Sequence, residues 1–231
     1  MKICLIVAME AEASYLIKKL NLEKKSDNST FYVYQNKLSE NEIILYFNKK
    51  IGKFDRIGTV NAAVLTHIAI EKESPDFIIN TGTSGGIEGK SVDIFDVLVS
   101  ENFVLYHDRY ISEEFLNYSL GFYKCEEINK INFEFKKGFI ATGNSLILSE
   151  KSWEIIDRYN VSCIDMESAA VGNICSEHNV KFLSIKVITD IVRKLKKEDT
   201  LNTISQFVQN FHYAMTVLSE KIELIFKERC I

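Results

Sequence analysis

Short apolar runs alternate along this chain with longer stretches in which apolar residues recur every three or four positions. The runs Ile3–Ala8, Phe31–Tyr34, Ile43–Phe47, Phe77–Asn80, Val97–Val99, Phe139–Ala141, Val161–Ile164 and Phe182–Val187 are rich in β-branched and aromatic residues and predict strands. Several are apolar at consecutive positions, as expected of interior strands of a largely parallel sheet covered on both faces. Helical spacing appears at Leu16, Ile17 and Leu20, at Ile57, Val60, Val64 and His67, and at Ala170, Val171, Ile174 and Cys175. The clearest series is C-terminal, where Ile204, Phe207, Val208, Phe211, Met215, Leu218, Ile222 and Ile225 mark one face of a helix. Strand and helix alternate, which predicts a three-layer α/β/α sandwich around a mixed, largely parallel central sheet. The mixed character comes from residues 20–53, which read as consecutive antiparallel strands.

Composition narrows the picture without redirecting it. At 231 residues the chain is expected to be one domain spanning 1–231, with a sizeable core from its 46% hydrophobic residues. Its formal net charge of -4 gives no basic excess for nucleic acid, and no apolar run approaches membrane-spanning length. Residues Ile3 to Met9 are short enough for a signal segment, but Glu10 and Glu12 stand where small residues would mark cleavage, so a buried first strand is expected. Cys4, Cys125, Cys163, Cys175 and Cys230 form no C-x-x-C pair and read as reduced core residues, which favours the cytoplasm. The charged run from Arg193 to Asp199 predicts a solvated loop before the last helix.

Candidate chemistry collects behind the strands. In open α/β sheets ligands bind beyond the carboxyl ends of the strands. Here those ends lead into Met9-Glu10-Ala11-Glu12, the Gly-rich turn Thr81–Gly86, Asp165-Met166-Glu167-Ser168, and Thr189-Asp190. Each has a plain structural reading as well: Glu10 and Glu12 offset a helix dipole, Asp165 and Glu167 cap the next helix, and Asp190 shapes a turn. Three strand ends delivering carboxylates to one sheet edge is nonetheless costly unless something there uses the charge. The Gly-rich turn lacks G-K-[ST] and G-x-G-x-x-G, so nucleotide triphosphates and dinucleotides lack their usual cradle. His67, His107, His178 and His212 show no H-x-x-x-H or H-E-x-x-H spacing, so no metal is indicated. No G-x-S-x-G elbow is present, and Ser84 and Ser145 have no evident base. Carboxylate chemistry on a neutral small molecule remains.

The segments MKICLIVAMEAEA, IGKFDRIGTVNAA, INTGTSGGI, LVSENFVLYHD, ATGNSLI, IDMESAAVGNIC and SIKVITDI, in this order, resemble the bacterial 5′-methylthioadenosine/S-adenosylhomocysteine nucleosidases of the purine nucleoside phosphorylase-like superfamily. The resemblance implies a nucleoside phosphorylase-like fold and cofactor-free, metal-free hydrolysis of the N-glycosidic bond of both nucleosides, as in methionine salvage, with 5′-deoxyadenosine as a further candidate. It implies Glu12 as the base that activates water and Asp190 as the acid that protonates adenine N7. Glu167 would hold the ribose hydroxyls, Met166 would pack beneath the sugar, and Ile147 would turn its backbone to the base. Met9, Thr83, Leu146, Lys186 and Thr189 complete the implied substrate pocket, and a homodimer is implied whose region after Tyr106-His107-Asp108 reaches the neighbouring site. Tyr110, Ile111, Phe115 and Leu116 are the apolar candidates for that contact.

The chain departs from the family at Val7, where glycine is common, at Asn144 for aspartate, at Leu146 for phenylalanine, and at Lys186 for arginine. Lysine keeps the charge but loses the planar fork, and leucine loses aromatic stacking on the base. Two other functions therefore stay open: phosphate-dependent cleavage, and a catalytically weak paralogue that binds nucleosides or a polyanion. The absence of arginine from Thr81–Gly86 argues against the phosphorolytic anion site.

Overall fold

A computed structural model describes residues 1–128, 135–194 and 200–228. Residues 195–199 of the loop expected from Arg193 to Asp199, and Cys230, lie outside them. The apolar N-terminal run forms β1 (Lys2–Val7), buried from Ile3 onward on both faces. The next helix, α1 (Glu10–Lys19), carries acids in its first turn and lysines in its last, matching its dipole. The stretch expected to be antiparallel forms β2 (Glu23–Asp27), β3 (Phe31–Leu38) and β4 (Asn41–Asn48), β3 pairing antiparallel with both neighbours. The first of these is wholly exposed and carries no apolar pattern, so only its neighbours mark it as a strand.

Beyond them come α2 (Thr59–Glu73), β5 (Phe77–Ile87), β6 (Val97–Tyr106), α3 (Leu116–Leu120), β7 (Tyr123–Lys124) and β8 (Lys136–Thr142). The chain finishes with α4 (Glu150–Arg158), β9 (Val161–Asp165), α5 (Ser168–Glu177), β10 (Lys181–Val192) and α6 (Thr200–Lys227). The strand order is β10-β6-β8-β9-β5-β1-β4-β3-β2, with β7 beside β6. Parallel pairs include β1–β4, β1–β5, β5–β10, β6–β8 and β8–β9, while β10–β6 and β5–β9 are antiparallel. Because β5 pairs with both β9 and β10, the strands β5, β10, β6, β8 and β9 close into a ring from which β1, β4, β3 and β2 extend. Helices α1 and α6 pack together, as do α2 and α5, and the doubly buried strands between them account for the three layers.

Three expectations change. The Thr81–Gly86 segment is not a turn: it continues β5 to Ile87, held between β9 and β10. A Cβ at Gly85 would stand 2.6 Å from Val192 Cγ2, so glycine here answers crowding by the neighbouring strand. Likewise Thr189 and Asp190 do not follow β10 but lie within it, at a bulge between Ile188 and Asp190 that leaves Thr189 as the extra residue. Finally, the apolar face expected on α2 points outward, with Val60 73% and Val64 54% exposed. The buried face is Ala62, Leu65, Thr66, Ala69 and Ile70. Its two alanines suit close packing against α5 and the sheet, which a β-branched stripe would hold away.

Candidate active site

Glu12 enters the site from the first turn of α1. It is buried, and its carboxylate accepts three hydrogen bonds: Thr83 N at 2.7 Å and Thr83 Oγ1 at 2.8 Å on Oε1, and Met9 N at 3.2 Å on Oε2. Gly82 makes the approach possible, since a Cβ there would lie 2.7 Å from Glu12 Oε1. Burial pushes the Glu12 pKa up, against the pull of Lys186 and the Thr83 and Met9 donors.

Asp190 faces the same region from the β10 bulge. Among the described residues its one side-chain donor is Thr189 Oγ1, 2.7 Å from Oδ1. Burial with so little compensation pushes its pKa up to about 6. Thr189 Oγ1 also lies 3.2 Å from Ser84 O, which ties the bulge to β5.

A second cluster gathers where β9 ends and α5 begins. Glu167 is the N-cap residue of α5, and its Oε1 accepts from Gly58 N at 3.0 Å. Asp165 accepts from Thr142 Oγ1 at 2.6 Å, from Ser168 N at 2.9 Å and from Ser168 Oγ. Lys186 reaches between them from β10, with Nζ 2.8 Å from Asp165 Oδ2 and 3.7 Å from Glu167 Oε2. Burial opposes ionisation of all three. For Asp165, the lysine and three hydrogen bonds overcome it and hold the pKa below the usual carboxylate range. Burial dominates at Glu167, and with Asp165 nearby it raises the pKa to about 7 despite Lys186. The lysine itself stays charged, because Asp165, Glu167 and Glu12 together outweigh its burial and raise its pKa.

Of the carboxylates expected from the sequence, Glu12 is tied to β5 at Thr83, Asp190 borders the same strand at Gly85, and Glu167 shares Lys186 with Asp165. Met9 and Met166 are half-buried beside Glu12 and Glu167 in sequence, and Thr83 binds Glu12 directly. Leu146 and Ile147 stand apart on an exposed turn after β8, and among the described residues neither is hydrogen-bonded to the carboxylates. The backbone of Ile147, expected to meet a base, is closed on Ser145, whose Oγ accepts from Ile147 N and donates to Ile147 O. Asn144 anchors this turn: its N donates to Asp108 Oδ2 at 2.7 Å, and its Oδ1 accepts from Thr59 N, next to Gly58. Sequence reasoning assigned Asp165 no role beyond a possible cap, because only the fold reveals that Lys186 points at it. His107 was also passed over; it is buried, its Nδ1 has no hydrogen-bond partner among the described residues, and it lies so close to Gly143 that a Cβ there would be 2.2 Å from its ring.

A sequence profile of the phosphorylase superfamily matches residues 2–222. A 5′-methylthioadenosine/S-adenosylhomocysteine nucleosidase of Thermotoga maritima is 30% identical over 201 residues, covering 85% of this chain and 88% of that protein. One from Bacillus thuringiensis is 32% identical, covering 84% and 87%. The chain belongs to this nucleosidase family. The apo structure of the Arabidopsis thaliana 5′-methylthioadenosine nucleosidase superposes with a TM-score of 0.87 at 27% identity, covering 97% of this chain and 94% of that one. Within the family frame, Val7 is a fully buried β1 residue that lines a small cavity with Arg56, Asn48 and Glu167. The other departures divide in two: Lys186 is locked into the carboxylate cluster, whereas Leu146 is exposed on the rim.

Proposed function

We propose that the protein hydrolyses the N-ribosidic bond of 5′-methylthioadenosine and S-adenosylhomocysteine, releasing adenine and the thioribose product. The observation that carries this reading is the pair of buried carboxylates, Glu12 and Asp190, joined across β5 and held in unlike environments. Asp190 has one hydroxyl partner and a pKa pushed up to about 6, so it carries a proton far more often than an ordinary aspartate and can pass it to adenine N7 as negative charge builds on the departing base. Glu12 has three donors that fix its direction, and it receives a proton from water as the water oxygen bonds to C1′. The C1′–N9 electrons leave with adenine, whose protonated N7 makes it a neutral leaving group. Glu167, with Lys186 and Gly58 N as partners, is placed to accept from the ribose hydroxyls and to favour the oxocarbenium charge. Lys186 acts here as a positioning residue, since its ammonium is committed to Asp165 and Glu167.

Hydrolysis rather than phosphorolysis is supported by the same commitment. Among the described residues, the lysine of the cluster is taken up by two carboxylates, and β5 supplies no cation for a phosphate. Incubating purified protein with each nucleoside in phosphate-free buffer and separating the products by chromatography tests the reading. Adenine release is expected; no release, or release that requires phosphate, rejects it.

The finer parts of the proposal are a single catalytic domain over 1–231, a homodimer and a cytoplasmic location. Continuity of one sheet through all the strands supports the first. For the dimer, Ile111 and Phe115 are exposed as expected of a contact surface, and Ile57, Val60 and Val64 add an uncovered apolar stripe on α2. Tyr110 and Leu116 pack against the chain's own second core beside Trp153 and Ile156, so half of the expected patch is used internally. Free buried Cys4, Cys125, Cys163 and Cys175 suit a reducing compartment. No helix among the described residues is long and apolar enough to cross a membrane.

A further inference from the structure

One group of metal-ligating side chains among the described residues lies outside the carboxylate cluster. His67 and Glu71 are four residues apart on α2 and share a face, and His178 is the C-cap residue of α5. One ligand atom from each can be chosen so that all three lie within 4.8 Å of one another. His67 Nδ1 is 3.1 Å from His178 Nε2, the pair of nitrogens that can share one ion; Glu71 Oε1 lies 3.9 Å from the other ring nitrogen of His178, so its carboxylate must turn toward Nε2 to join them. The exposed stripe of α2 changes character along its length: Val60 and Val64 are apolar, and the next two positions on the same line are His67 and Glu71.

A nitrogen separation of 3.1 Å allows a shared proton between the two rings. It also fits two ligands of one ion. At ordinary Zn–N distances of about 2.0–2.1 Å, such nitrogens subtend roughly 100° at the metal, between octahedral and tetrahedral values. We propose that His67, Glu71 and His178 form a binding site for a divalent transition-metal ion, with Zn²⁺ the best match, that clamps α2 to α5. Two imidazoles and a carboxylate select such an ion over Mg²⁺ or Ca²⁺, which favour all-oxygen shells, and water fills the remaining position. Sequence inspection passed over this site because it looked for paired histidines, whereas the second histidine is 111 residues away.

The location gives the ion a role in the fold rather than in the chemistry. The two helices are already joined at their starts, where Gly58 N donates to Glu167 Oε1. At about 1.5 Å per residue, His67 and His178 lie roughly 14 and 17 Å along their helices from that junction. A metal there would add a tie at the far ends of two helices that already pack along their length. It touches none of the groups proposed to act on the nucleoside.

Chelator-treated protein titrated with ZnCl2 by calorimetry tests the site, with thermal unfolding followed in parallel. Saturable binding of one Zn²⁺ per chain and a raised unfolding midpoint are expected, with no response to MgCl2. His67→Ala and His178→Gln should each weaken binding by at least about tenfold, and the glutamine variant keeps a hydrogen-bonding side chain, so the loss reports on ligation. Adenine release should be the same with and without Zn²⁺. No saturable binding to the wild-type protein, or undiminished binding by the His67→Ala/His178→Gln double variant, overturns the proposal.

Discussion

The carboxylate cluster and the rim turn after β8 are linked through two consecutive residues, Gly58 bonded to Glu167 and Thr59 to Asn144, yet they are built on opposite principles. In the cluster, Glu12, Asp165, Glu167 and Lys186 are buried, each held by two or more polar partners on regular elements. On the rim, Leu146 and Ile147 are more than half exposed, and among the described residues Ile147 is bonded to Ser145 within its own turn. A charge used in catalysis is worth most where water is excluded and the partner geometry is set in advance. A surface proposed to meet a base must instead admit it, and here the rim is open, with Ile147 N and O paired to Ser145 within the turn.

The contrast breaks first at the cluster. Asp190→Asn and Glu12→Gln should each lower kcat by at least about 10²-fold in the adenine-release assay. In the wild type, activity should fall as pH rises through the Asp190 pKa of about 6, because the acid form is the one that donates. Near-normal turnover in both variants would separate these residues from the chemistry.

Lys186→Met tests whether the buried cation is what allows three carboxylates to share this space. Removing one partner of a buried ion pair costs about 3–5 kcal/mol, so a marked drop in the thermal unfolding midpoint is expected, read by calorimetry. An unchanged midpoint would mean the cluster does not depend on the lysine.

Gly82→Ala probes the close approach of β5 to Glu12, both through the new methyl and through backbone strain at a φ of +150°. The new methyl would crowd Glu12 Oε1, and a displacement on the order of 1 Å should reduce kcat by about 10- to 100-fold with little change in KM. A variant that keeps full kcat would show that the close approach of β5 to Glu12 is not needed.

The smallest effect belongs to the rim. Leu146→Phe adds a ring at an exposed position, and stacking on adenine should lower KM by roughly two- to tenfold, the equivalent of about 0.5–1.5 kcal/mol, with kcat nearly unchanged. Calorimetry with adenine gives the same comparison without turnover. No change in either measurement would remove Leu146 from the base site.

The chain by itself determined the strand-helix alternation, the antiparallel excursion over residues 20–53, the motifs that single out Glu12, Glu167 and Asp190, and the family. Those follow from local polarity, strand-end position and motif order, all of which are properties of neighbouring residues. Only the tertiary structure decided that α2 buries Ala62 and Ala69 rather than Val60 and Val64, because the helix carries two stripes and its partners choose between them. It also turned Thr81–Gly86 and Thr189–Asp190 from expected loops into strand, since the ladder partners that extend β5 and β10 lie about a hundred residues apart. The charge states of the cluster were beyond any local reading for the same reason: the proton affinity of Asp190 is set by burial, and that of Asp165 by a lysine on another strand.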